Sequence, residues 1–129
     1  MNPNSRAVIT RWHEVVGSGD LAAASEVVAP ATVVLGPRGA ATLSPAEFTG
    51  WIQRSGIRRV PLTWHPVSDR LMAVEQDATW PDSEAPTRVE TLFRVTNGRV
   101  SAALRLPDLQ AALELGAVYR ELAATETLT

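Results

Sequence analysis

The chain contains no cysteine, which excludes disulfides, thiolate chemistry and cysteine-based zinc sites. Lysine is absent too, and all twelve basic residues are arginine. Outside Arg58-Arg59 they do not cluster. The concentrated positive charge that a phosphate backbone requires is therefore missing, and nucleic acid is not an expected partner. Histidine is limited to His13 and His65, which lack the HxxxH or HxH spacing of metal ligands. No metal and no other cofactor is expected. No apolar run approaches the ~18 residues of a membrane span, and the opening MNPNSRAVITRW lacks the uninterrupted apolar segment of a secretory signal. These absences lead to the expectation of a soluble, cytoplasmic protein with no membrane partner.

What is present fits one domain. A chain of 129 residues, 45% hydrophobic and 20% charged, has apolar matter enough for a single core and is not of disordered composition. The clearest local signal is Thr87 to Leu106, two alternating runs joined by Asn97-Gly98. A two-residue type I′ loop needs positive φ at both central positions, which Asn-Gly supplies at little cost. Period-two alternation puts Val89, Thr91, Phe93 and Val95 on one face. Continued through the turn, it adds Val100, Ala102, Leu104 and Leu106, and assigns Arg99, Ser101, Ala103 and Arg105 to the other. Leu71 to Trp80 alternates likewise, with Val74, Gln76, Ala78 and Trp80 opposite Ala73, Glu75, Asp77 and Thr79. Val60 to Val67 carries Pro61 and Pro66, each lacking a ladder donor, and so reads as an edge strand or a bent one.

Helices precede the strands. Val8, Ile9, Trp12, Val15 and Val16 recur at three- and four-residue spacing between Ser5 and Gly17, the pattern of an amphipathic helix. Asp20 is placed to cap a second, Leu21 to Val28, which Pro30 stops. Ala31 to Leu35 is a short strand, followed by a turn at Gly36-Pro37-Arg38-Gly39. Ser44-Pro45-Ala46-Glu47 forms a capping box that opens a helix bearing Phe48, Trp51 and Ile52 and fading at Ser55-Gly56. A last helix starts at Pro107-Asp108 and is expected to break or kink at Gly116, with the final five residues frayed. Helices first and antiparallel strands afterwards define an α+β domain with helices packed on one face of a curved sheet.

This order, with Gly19-Asp20 after the Trp12-His13 helix, Ala31-Thr32-Val33 as first strand and the hairpin Phe93-Arg94-Val95-Thr96-Asn97-Gly98-Arg99-Val100, resembles the NTF2-like superfamily in its SnoaL-like branch. The resemblance spans roughly residues 5 to 108. It implies a single domain over residues 1–129 with an extra C-terminal helix at about 107–126. It also implies an α+β cone whose sheet wraps a pocket, often in homodimers paired through the outer face of the sheet. That fold hosts ketosteroid isomerases, polyketide cyclases, epoxide hydrolases and dehydratases, so the pocket residues must decide the chemistry. By resemblance to a ketosteroid isomerase, Trp12 stands at the position of a tyrosine donor, Leu35 at that of the aspartate base, and Thr91 at that of the second oxyanion donor. With all three replaced, steroid isomerase chemistry is rejected.

The expected ligand pocket comprises Trp12, Val16, Leu35, Trp51, Gln76, Trp80, Thr91, Phe93 and Leu104. Gln76 is the polar group on its wall, able either to orient a ligand or to be satisfied within the core. His13 is the weak candidate for a general base because it alone titrates near neutrality beside the apolar stripe. His65 is expected at a rim or surface. The other sheet face carries Glu75, Asp77, Arg88, Glu90, Arg94, Arg99 and Arg105 as cross-strand pairs, interrupted by an apolar strip of Leu71, Leu92 and Ala103 that a second subunit could cover. Three functions stay open: a binding domain for a small apolar molecule, an enzyme using His13 or a water held by Gln76 and Thr91, and an interaction module with a filled cone.

Overall fold

Six strands form one sheet in the order β2-β1-β6-β5-β4-β3, in a computed structural model that describes residues 3–36 and 38–126. Chain order is α1 (Pro3–Ser18), α2 (Leu21–Val27), β1 (Val28–Gly36), β2 (Gly39–Leu43), α3 (Pro45–Ser55), β3 (Arg58–Pro66), β4 (Leu71–Thr79), β5 (Thr87–Thr96), β6 (Arg99–Leu106) and α4 (Leu109–Glu126). β1 runs parallel to β6, and the other pairings are antiparallel. The sheet is thus mixed, with helices on both faces. β3 lies at an edge, where the missing donors of Pro61 and Pro66 leave no inner ladder broken.

Local signals act as their chemistry dictates. Asn97 and Gly98 take φ of 53° and 75° in the β5–β6 turn. Asp20 caps α2 by accepting from the Ala23 amide at 3.2 Å. At α3 the Ser44 hydroxyl accepts from the Glu47 amide at 3.2 Å while the Glu47 carboxylate accepts from the Ser44 amide at 2.9 Å. Gly56 then closes that helix in the left-handed region, φ 58°.

The core has two layers. Inside the curve, α1, α2 and α3 pack on the sheet through Ile9, Trp12, Phe48, Ile52, Met72 and Phe93, among others. Outside it, α4 covers Leu71, Ala73, Leu92, Ala102 and Leu104 with Ala112, Leu109, Leu115 and Tyr119. Five sequence expectations are corrected. Gly116 does not break α4: it is buried where the helix crosses the sheet, and a Cβ there would lie 3.2 Å from the Val67 methyls and 3.4 Å from Leu92. The strip of Leu71 and Leu92 is covered by the chain's own α4 rather than left for a second subunit, while Ala103 faces the other way. β2 was not anticipated, because its five small or exposed residues carry no alternation. β1 also begins at Val28, earlier than expected, and carries Pro30 where its pairing with β6 is interrupted. Of the frayed terminus, Thr125 and Glu126 are helical and 127–129 lie outside the described residues, as does Pro37 of the expected turn.

The fifth correction is at β6. Val95 pairs with Val100 but Arg94 pairs with Ala102, so Ser101 is an extra residue on that strand, a β-bulge. Ser101 is buried and accepts from the Arg94 Nε at 2.8 Å, and its hydroxyl lies 2.7 Å from that of Thr96. Arg94 also donates to the Tyr119 hydroxyl of α4. Because side chains alternate strictly, one inserted residue exchanges the two faces of everything that follows. Val100 still points inward, but Ala102, Leu104 and Leu106 meet α4, while Ala103 and Arg105 turn to the inside.

Candidate ligand pocket

Between the inner face of the sheet and helices α1 and α3 lies a cavity of about 190 Å³. Trp12 from α1, Phe48 and Trp51 from α3, and Trp80 after β4 form its aromatic walls. Trp12 meets Phe93 edge-on at 5.0 Å between ring centroids, and Phe48 stacks on Trp51 at 5.8 Å. Val34, Leu35, Leu43, Ile57 and Ala103 add to the apolar lining. Among the described residues two charged side chains enter it, Arg59 from β3 and Arg105 from β6, and no carboxylate does. The Arg59 guanidinium sits 5.8 Å from both the Trp12 and Trp51 rings, and Arg105 sits 5.8 Å from Trp80.

Of the residues expected here, Trp12, Leu35, Trp51 and Trp80 line the cavity. Val16 and Phe93 are packed into the inner core beside it. Leu104 lies on the opposite face of the sheet because of the Ser101 bulge. Trp64 stands apart under Arg6, whose guanidinium is 4.8 Å from its ring. Gln76 and Thr91 point inward from β4 and β5, both with no exposed surface, but other side chains cover them. They belong to a buried chain of hydrogen bonds that ends on the pocket wall.

That chain runs from Arg59 to α1. Arg59 Nη1 donates to Thr91 Oγ1 at 3.4 Å, and the Thr91 hydroxyl donates to Gln76 Oε1 at 2.6 Å. Gln76 Nε2 lies 2.6 Å from His13 Nε2, and His13 Nδ1 lies 2.8 Å from the Ile9 carbonyl oxygen. Its direction follows from its ends. Arginine can only donate and a carbonyl can only accept, so Gln76 donates its amide hydrogen to an unprotonated His13 Nε2, and His13 carries its single proton on Nδ1. Burial agrees with this assignment: His13 is 4% exposed, and desolvation lowers its pKa to about 4. The one imidazole near the cavity is neutral and has both nitrogens engaged.

Arg59 is held by this chain but not neutralised by it. Burial, with Arg105 nearby, lowers its pKa to about 10, so it remains charged near neutrality. Neither arginine forms an ion pair among the described residues. Two buried donors in the cavity wall lack any partner, Arg59 Nε and Trp12 Nε1. Sequence reading missed both arginines as pocket residues. Arg59 was visible only as half of a basic doublet, and Arg105 was assigned to the wrong face by counting across the bulge.

The outer face between β3 and β5 is polar. His65 Nε2 lies 3.2 Å from Glu75 Oε1, and Arg88 Nε lies 3.1 Å from Asp77 Oδ1. Glu90, 5% exposed, stands directly across from Glu75. Desolvation and the Glu75 charge raise its pKa to about 7, whereas hydrogen bonds from Thr63 and His65 lower that of Glu75. Among the described residues no group of three or more His, Asp or Glu is disposed to hold a metal, and no helix is long and apolar enough to cross a membrane.

Helices in the concavity of a six-stranded sheet, with a cavity between them, are the architecture of the NTF2-like cone, and comparison with solved structures finds that fold. An NTF2-like protein of unknown function from Cytophaga hutchinsonii superposes with a TM-score of 0.70 at 10% identity, covering 83% of this chain and 92% of that one. A Δ5-3-ketosteroid isomerase from a Mycobacterium species gives 0.68 at 17% identity, over 84% and 95%. A Mycobacterium tuberculosis LEH-like epoxide hydrolase gives 0.68 at 12%, over 99% and 98%. No protein-family model matches the chain, and no curated protein does. At these identities the likeness concerns the fold.

Proposed function

We propose that the protein is a single-domain binder of a small, largely apolar molecule, cytoplasmic, and without an acid–base reaction of its own. The observation that supports this reading is the aromatic-walled cavity, open in volume yet free of any group that could exchange a proton near neutrality. A filled cone would leave no such space, and an enzyme built on His13 would need an imidazole nitrogen free to reach a substrate. The pocket combines apolar walls with a few fixed polar groups, as small-molecule sites do.

Titrating intrinsic tryptophan fluorescence with a panel of apolar hydroxy, keto and carboxylate compounds tests the reading, since three tryptophans line the cavity. At least one panel member is expected to quench or shift the emission saturably. Ala103→Phe, which places a ring on the cavity floor, is expected to abolish that response while near-ultraviolet circular dichroism stays native. Absence of any response across the panel would sink the proposal.

A second copy of the chain is the proposed protein partner, paired through the part of the outer sheet face that α4 leaves open. The exposed Val60 and Leu62 of β3 favour this. Light scattering coupled to size exclusion should give twice the chain mass, and Val60→Glu should return it to the monomer. A wild-type monomer at tens of micromolar would exclude this pairing.

A further inference from the structure

The charge inside the pocket has no counterpart. Arg59 and Arg105 both enter a cavity whose lining contains no carboxylate, and neither has an ion-pair partner among the described residues. Burying like charges side by side is costly, because the solvation each loses is not returned by an opposite charge. The protein nevertheless maintains the arrangement with a dedicated support, since the Thr91–Gln76–His13 chain fixes one end of the Arg59 guanidinium. That support leaves Arg59 Nε unpaired, and Trp12 Nε1 in the same wall is unpaired as well. Buried polar groups left without partners in a native fold call for a specific cause. Arginine and the tryptophan N–H can only donate. The two guanidinium groups that reach the cavity can therefore be answered only by an acceptor, and beside both of them that acceptor carries negative charge.

The rest of the cavity describes the remainder of the molecule. Walls of Trp12, Phe48, Trp51 and Trp80 suit a flat ring. A dry cavity of about 150 Å³ holds benzene, so 190 Å³ takes one six-membered ring with a short arm. We infer that the ligand is a monocyclic aromatic carboxylate, its ring between the tryptophans and its carboxylate bound by Arg59 and Arg105. This rests on the binding reading above and names the chemistry of the same site. It also assigns His13, Gln76 and Thr91 a role as positioning residues that hold Arg59, none of them touching the ligand.

The test compares phenylacetate with its neutral isostere phenylacetamide, by tryptophan fluorescence and calorimetry at pH 7.5. Phenylacetate is expected to bind at least about tenfold more tightly, the scale of one charge-assisted fork. Arg105→Gln should remove most of that preference, leaving phenylacetamide affinity within about twofold of wild type, because the lost term is the charged one. Arg59→Gln should do the same. If its place in the buried hydrogen-bond chain prevents folding of that variant, Arg105→Gln decides alone, since Arg105 is half-buried and outside that chain. Arg58→Gln, on an exposed neighbour outside the lining, should change neither affinity. Equal binding of acid and amide, or a preference for the acid that survives Arg105→Gln, overturns the inference while leaving the pocket reading intact. The same holds if neutral panel members bind and phenylacetate does not. If neither probe nor any panel member binds, both fail together.

Discussion

Gln76→Leu destabilises the protein by about 3 kcal/mol, although leucine is of similar size and more apolar. The loss arises because two buried groups, His13 Nε2 and the Thr91 hydroxyl, are left without their partner at once, and each such orphan costs roughly 1–3 kcal/mol. The converse checks the cause. In the triple variant His13→Leu, Gln76→Leu, Thr91→Val these three polar side chains disappear together, and most of the loss should be recovered because only the long 3.4 Å bond from Arg59 Nη1 is left without its acceptor. Urea unfolding with an unchanged denaturant slope measures both. A Gln76→Leu loss below about 1 kcal/mol would mean that the hydrogen-bond chain is not formed as described. The nitrogen shifts of His13 give a separate reading, with the proton expected on Nδ1.

The second large effect is in the pH dependence, where two buried groups act in opposite directions. For His13 the folded value of about 4 lies below the unfolded 6.5. As pH falls from 6.5 toward 4 the unfolded chain takes up the proton first, and stability drops by about 3 kcal/mol. For Glu90 the folded value of about 7 lies above the unfolded 4.5. As pH rises from 4.5 to 7 the unfolded chain loses the proton first, and stability again drops, by about 2 kcal/mol once screening on the open side of the sheet is allowed for. The windows overlap between 4.5 and 6.5. The wild-type curve should therefore be nearly flat there, with losses on either side. Glu90→Gln removes one of the opposing slopes. The variant should be more stable than wild type at pH 8 by about 2 kcal/mol, and should show a clear rise from pH 4 to 6.5 that wild type lacks. Identical urea midpoints for the two proteins across pH 4 to 8 would refute the assignment.

Much of the fold was legible because its signals are short in range. The Asn97-Gly98 turn, the Ser44 capping box, the Asp20 cap and the period-two strands β4 and β5 each depend on residues a few positions apart. The inward set on β4 and β5, including Gln76, Thr91 and Phe93, is where alternation put it. The pocket was legible only in part. Trp12, Leu35, Trp51 and Trp80 could be named because large apolar residues on inward faces have few other places to go. What Gln76, Thr91 and His13 do depends on which inward residues stand between them and the open space, and that is a property of packing across four elements. Gly116 was read as a helix breaker from its own propensity, whereas the close crossing over Val67 and Leu92 is what calls for a small residue there. β2 left no trace because an exposed edge strand need not alternate.

The extra residue at Ser101 also affects how this chain can be compared with others of its fold. A strand without it would reach the cavity with the parity that Leu104 and Leu106 have here, so position-by-position alignment of β6 across such a pair matches the ligand-facing residues of one protein to the helix-facing residues of the other. Arg105 would be set against a core leucine and dismissed as a surface charge. The equivalence has to be counted backward from α4 rather than forward from the Asn97-Gly98 turn. Inherited site assignments that ignore this will be wrong at the one position on β6 where this pocket carries its charge.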